Sequence, residues 1–177
     1  FFLLEYIAEA VDGPALIPDG ALGRYNLRAV GQTVAGLIAP FVRRLGLARY
    51  PLPAGGDFGD IEPEERRAAW VQASSSGAAG TGDADRLRPT LARLDALLVG
   101  GGGDWFEGRY SIADIDVFAM IRNLPDLAPG LLDETPALAG LVARMEARPA
   151  VQRALALGWG GEAARAFLPG PEVSRWG

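Results

Sequence analysis

Phe106-Glu107-Gly108-Arg109-Tyr110-Ser111-Ile112-Ala113-Asp114-Ile115, running on into Asp116-Val117-Phe118-Ala119-Met120-Ile121, is the stretch around which the chain is organised. Ser111 is placed to cap a helix, and Asp114, three residues on, can return a hydrogen bond to the Ser111 amide. The pair would close a capping box, with Asp where Glu or Gln is usual. Tyr110 before the cap and Ile115 in the first turn have the spacing of a hydrophobic staple. Apolar side chains at 112, 115, 117, 118 and 121 are too many for one stripe, which predicts a helix over 111–122 buried on most sides.

Composition limits what such a core can serve. A chain of 177 residues suits one domain and can bury roughly 70% of its unfolded surface. Hydrophobic residues make up 49% and charged residues 22%, the balance of an ordinary globular protein. The net charge of −5 argues against nucleic acid as a partner, since such surfaces are basic. No apolar run is long enough to span a membrane. With neither Cys nor His, disulfides, thiolate nucleophiles, Cys/His zinc sites and a Ser-His-Asp triad are excluded within this chain. No metal is expected. The chain opens at Phe1 without Met and enters a helical pattern at once, the pattern of a piece cut from a larger protein.

Residues 2–11 carry Leu4, Ile7, Ala8 and Val11 at helical spacing, and Asp12-Gly13-Pro14 stops them. Residues 14–19 form a linker. A helix over 20–45 follows, with Leu27, Val30, Val34, Leu37, Phe41 and Leu45 as its apolar stripe. Pro40 should remove one hydrogen bond and bend it near Gly36. Residues 46–61, rich in Pro and Gly, are expected to be loop, and Pro63-Glu64-Glu65 to open a helix to about Ser74. The Ser/Gly/Ala run 74–82 has no apolar anchor and is expected to be mobile. Leu87, Leu91, Leu94 and Leu98 then mark a helix over 84–99.

Gly100 to Gly103 is a turn between helices and not a phosphate loop, because no strand precedes it and no Lys-Ser/Thr follows. Asn123-Leu124-Pro125 should end the central helix. Thr135-Pro136 starts another, as cap and first residue, with Leu138, Leu141, Val142 and Met145 on one face. Arg148-Pro149-Ala150-Val151 breaks and restarts the helix. The tail, with Trp159, Phe167 and Trp176, reads as part helix and part extended. The fold class expected is all-α.

Gly108, Ser111-x-x-Asp114 and the buried helix resemble the third helix of the C-terminal domain of cytosolic glutathione transferases. Leu4-Glu5-Tyr6-Ile7-Ala8-Glu9 resembles the last helix of that family's thioredoxin-like N-terminal domain. Arg24 with Pro40 resembles the first C-domain helix, and Arg148-Pro149-Ala150-Val151 the last helices. The resemblance implies a terminal helix of a truncated thioredoxin-like domain at 1–13, the linker at 14–19 and a helical C-terminal domain at 20–177. It implies a protein that conjugates glutathione, as co-substrate, to small electrophilic molecules, acting as a cytoplasmic homodimer.

In that family a Tyr, Ser or Cys lowers the pKa of the glutathione thiol so that thiolate attacks the electrophile. That residue and most glutathione contacts belong to the N-terminal half, so no catalytic residue is assigned here. The resemblance implies that the C-domain supplies one wall of the electrophile pocket: Tyr25, Arg28, Gln32, Ala35 and Gly36 on the first helix, with Trp159 as a lid; by their spacing alone Tyr25, Arg28 and Gln32 read as a solvated face, and Trp159 as ordinary packing. Ala35 and Gly36 stand where some bacterial relatives carry a His-Lys pair, leaving a less polar wall. Asp114 and Asp116 could be paired carboxylates, but the capping box uses the oxygens of Asp114. The alternative function is a non-catalytic transferase-like module for binding or assembly.

Overall fold

Apolar side chains at helical spacing drive every regular element of the described residues, which are 1–49 and 82–157 of a computed structural model. The elements are α1 (Phe2–Ala10), α2 (Ala21–Thr33), a π-helical segment (Val34–Ile38), α3 (Ala39–Arg49), α4 (Gly82–Gly100), α5 (Ile112–Ile121), α6 (Leu124–Leu127), α7 (Pro136–Glu146) and α8 (Pro149–Ala156). No strand occurs among the described residues, and the fold is all-α. The expected 63–74 helix, the expected 74–82 loop up to residue 81 and the tail with Trp159, Phe167 and Trp176 lie outside the described residues; Gly82 already belongs to α4.

α5 is the centre of the bundle. It packs against α2, the π segment and α7, while α4 lies along α7 and α3. Ile112, Ala113, Asp114, Val117, Phe118 and Ile121 are all buried. Leu87, Leu91, Leu94 and Leu98 of α4 meet Leu138, Leu141, Val142 and Met145 of α7 in the same core. Each large side chain so buried contributes about 1.5–3 kcal/mol.

The long first helix departs from its expected phase. Val34–Ile38 is π-helical, and the Ala39 amide donates to Val34 O, five residues back. Pro40 has no amide to donate to Gly36, so an α-register bond there is impossible. The wider turn takes up the defect and advances the face by one residue. Leu37, expected in the stripe, is therefore 50% exposed, while Ile38 is fully buried and Val42 nearly so. Phe41 and Leu45 sit only partly buried at the edge of the core. The helix also continues to Arg49, so residues 46–49 are not the loop the sequence suggested.

Two further ends differ from expectation. After Asn123 the chain makes one more turn, α6, with Leu124 and Leu127 buried. Thr135 precedes α7, yet its hydroxyl donates to Leu132 O at 3.2 Å rather than capping the helix. The cap comes from α4: Asp95 Oδ1 accepts from the Leu138 amide at 2.9 Å. Helix α4 ends in a Schellman turn, with Gly103 N–H donating to Leu98 O and Gly102 N–H to Val99 O. Gly102 adopts φ +114° there, which a β-carbon would disfavour.

Candidate ligand cleft and the outer face of α2

Where α5 begins, Ser111 is extended and the chain reverses into the helix. The Asp114 carboxylate accepts from Ser111 N–H and Ser111 Oγ–H, both at 2.8 Å, and from Phe106 N–H at 3.1 Å. The reciprocal bond from the Asp114 amide to the Ser111 side chain is present too. Burial pushes the Asp114 carboxyl up, against the lowering effect of these donors. Its oxygens are committed to two backbone amides and the Ser111 hydroxyl, which ties it to the cap. Asp116, two residues further along and therefore on the opposite side of the helix, is half-buried and likewise pushed up by burial. No group of three or more potential metal ligands exists among the described residues.

The turn before this cap is held from the other side by cations on aromatic rings. The Arg148 guanidinium lies 3.7 Å from the Tyr110 ring centre, and Arg144 lies 5.6 Å from that of Trp105. Trp105 and Tyr110 meet edge to face at 5.2 Å. Arg144 also donates to Gly103 O and Asp104 O. Tyr110, the expected staple residue, thus has an aromatic and a cationic partner.

Tyr25, Arg28, Gln32, Ala35 and Gly36 are all solvent-exposed. They do not form one pocket. Arg28 turns toward α1 and pairs with Glu5, Nε to Oε1, at 2.8 Å. Beside it the Phe1 ring lies so close over Gly31 that a β-carbon there would come within 2.3 Å of it. Gln32, Ala35 and Gly36 continue the open face along the π segment, and a β-carbon at Gly36 would meet nothing. Trp159 lies outside the described residues.

Tyr25 instead lines a cleft of about 640 Å³ between α2 and α4. Asn26, Ala29, Val30 and Thr33 line one wall, Arg93, Ala96, Leu97 and Gly100 the other. The Gly101 and Phe106–Gly108 turn closes the end. Val30 and Phe106 are buried beneath it. The volume falls in the range of small-molecule sites. Glycines shape the closed end: a β-carbon on Gly101 would sit 2.4 Å from Phe106 O, and Gly108 turns at φ +68°. Except for Tyr25, the sequence reading named none of these residues as ligand contacts. The signal available was a second helical row, 26, 29 and 33, beside the apolar stripe that holds Val30; the facing α4 row and the turn join it only in three dimensions.

The polar groups of the cleft sit at its ends. Burial raises the Glu107 carboxyl above the ordinary carboxylate range; a hydrogen bond from Asn26 opposes this, and the nearby Asp114 charge adds to it. Glu107 has no ion-pair partner among the described residues. Arg93 lies about two turns before Gly100, some ~10 Å along α4, and it too is unpaired among the described residues. A smaller depression of about 360 Å³ lies between α4 and the turn before α7, beside the Arg88–Glu134 ion pair.

Residues 78–156, reaching from just before α4 to the last residue of α8, match the family described as glutathione S-transferase, C-terminal domain. Among curated proteins no match was found. The chain resembles that C-terminal domain both in this match and in its all-α fold. α1, α2 and α3 lie before the matched residues.

Proposed function

We propose that this glutathione S-transferase-like chain is the C-terminal part of a protein that conjugates glutathione to small electrophilic molecules. The division is the one expected above: a terminal helix of a thioredoxin-like domain at 1–13, a linker at 14–19 and the helical domain at 20–177. The observation that carries the proposal is the surface around α1. No residue of α1 is buried, and Phe2, Leu3, Tyr6 and Val11 expose from 64% to 74% of their area. An apolar face of that kind asks for cover by another unit. α1 is meanwhile fastened to α2 by the Glu5–Arg28 pair and by Phe1 on Gly31.

A domain continuing from α1 would stand over Gln32, Ala35 and Gly36, the open and sterically undemanding part of the α2 face. The electrophile would lie between the two units, with glutathione held on the other side. The thiol-activating group would belong to that other domain. A cytoplasmic homodimer is what the family resemblance implies; no helix among the described residues is long and apolar enough to cross a membrane.

Calorimetry with glutathione tests the division of labour. Residues 1–177 alone should show no binding, while the protein extended upstream through its native sequence should bind and should conjugate an aryl halide. In the extended protein, Ala35→Phe should lower kcat/KM for a bulky electrophile about tenfold with folding stability nearly unchanged. Micromolar affinity for glutathione in residues 1–177 alone would overturn the division. An extended protein that neither binds nor conjugates glutathione would leave the binding or assembly module as the function.

A further inference from the structure

The α2–α4 cleft is a second concavity, on a different side of α2 from the face assigned to the electrophile. Arg28, Gln32, Ala35 and Gly36 do not line it. Its middle is made of short or apolar groups, Ala29, Val30, Ala96 and Leu97, over the buried Phe106 ring. Such a surface accepts a slender apolar body, with no polar side chain on the α2 wall between Asn26 and Thr33.

The two ends are unlike. At the closed end Glu107 presents a carboxyl beside the neutral Asn26 amide, with no ion-pair partner among the described residues. Its Oε2 lies toward α2, 3.6 Å from where a β-carbon on Gly23 would stand. A part-buried carboxyl with no cation beside it is costly to ionise, and a charged donor from outside would offset that cost. At the other end Arg93 supplies a positive charge with no partner among the described residues. A ligand with one cationic head is therefore oriented, head to Glu107 and body toward Leu97. A ligand cationic at both ends is repelled at Arg93.

From this polarity we infer that the cleft is a binding site for a small amphipathic monoamine, an arylalkyl or short alkyl primary amine. Its ammonium group bonds to Glu107 beside Asn26, and its apolar body lies on Val30, Leu97 and Phe106. Tyr25, exposed and next to Asn26, lines the same end, where its ring can cover the head of the ligand. The assignment is independent of glutathione and of the fate of the α1 face.

Calorimetric titration of the whole chain with 2-phenylethylamine, 2-phenylethanol and 1,8-diaminooctane tests it. The amine should bind at least about tenfold more tightly than the alcohol of the same shape, and the diamine should gain nothing over the monoamine. Glu107→Gln should remove the preference for amine over alcohol while leaving the alcohol affinity in place. Ala29→Leu, which narrows the cleft away from Glu107, should weaken amine and alcohol alike. Equal affinities for amine and alcohol in the unaltered chain would overturn the proposal, as would a preference that survives Glu107→Gln. A diamine that binds more tightly than the monoamine would overturn the orientation by Arg93. If Glu107→Gln does not fold, Ala29→Leu decides: unchanged amine affinity there places the amine elsewhere and sinks the site.

Discussion

Two buried carboxylates hold the bundle together, and they do it by opposite physics. Asp83, at the start of α4, is paired with Arg44 of α3 through two bonds of 3.0 Å, Nε to Oδ2 and Nη2 to Oδ1. Asp114, at the start of α5, has no cation and is held by two backbone amides and a hydroxyl. The guanidinium holds the Asp83 carboxyl below the ordinary carboxylate range, and Asp83 in turn raises Arg44. Burial drives Asp114 the other way. An ion pair tolerates burial because the charge is answered; a capping carboxylate is kept because the backbone donors around it need an acceptor. The first fastens two helices side by side. The second fixes where a helix begins.

The largest effect expected from this contrast is at Asp114. Asp114→Ala removes the acceptor from Ser111 N–H, Phe106 N–H and Ser111 Oγ–H together, and the first two cannot reach water without opening the turn. The loss should be about 3 kcal/mol, more than the ~1 kcal/mol of an ordinary exposed cap. Urea denaturation measures it. A midpoint and slope equal to those of the unaltered protein would mean that the turn before α5 re-forms its bonds elsewhere.

That turn was readable in sequence, and the reason is local. Ser111, Asp114 and the apolar run after them lie within a few residues, so one stretch of chain contains both partners of each bond. The four-leucine face of α4 and the Leu138–Met145 face of α7 were readable because unbroken helices keep their phase. The cap on α7 was not, because Asp95 is distant in sequence and nothing around it marks an acceptor for Leu138. The Asp83–Arg44 pair was hidden for the same reason. So was the cleft: Tyr25, on α2, lines it together with Glu107 and Arg93, which reach the same space from two other segments. The Arg28–Glu5 pair, between α2 and α1, was hidden likewise.

A smaller effect, and one that separates the two carboxylates by sign, is in the pH dependence of stability. Asp83 has a folded-state pKa below its unfolded one, so its contribution is complete above the unfolded pKa, near ~3.9. It is lost as pH falls through the lower folded value. Asp114 has a folded-state pKa above its unfolded one. Its folded form takes up a proton first, so its ionisation costs stability as pH rises from the unfolded through the folded value. The stability difference between the unaltered protein and Asp83→Asn should therefore grow with rising pH across the carboxylate range. The corresponding difference for Asp114→Asn should shrink. Denaturant melts at steps between about pH 3 and pH 7 would show it, and two slopes of the same sign would refute the distinction.

The smallest effect concerns the helical run that Arg44 anchors, where phase and not charge was hidden. A stripe continued at constant pitch from Val30 and Val34 places Leu37 inside; the π turn places Ile38 there instead. The cause is a single imino acid. Without an amide at Pro40, Gly36 O cannot be satisfied in α register, and the segment from Val34 widens to the five-residue bond that Ala39 makes to Val34. Leu37→Ala should then change stability by no more than about 0.5 kcal/mol, the range of an exposed position. Ile38→Val, a smaller deletion at a fully buried position, should cost about 0.5–1.5 kcal/mol. If the larger truncation at 37 proved the more costly, the apolar stripe would run unbroken and the π turn would be absent in solution. Pro40→Ala sharpens the point: restoring the amide permits α register through Gly36, which would rotate Leu37 toward the core and make Leu37→Ala more costly in that background than in the unaltered protein. The two carboxylates hold their helices at fixed points, while the π turn decides which side chains between Val34 and Val42 face the core.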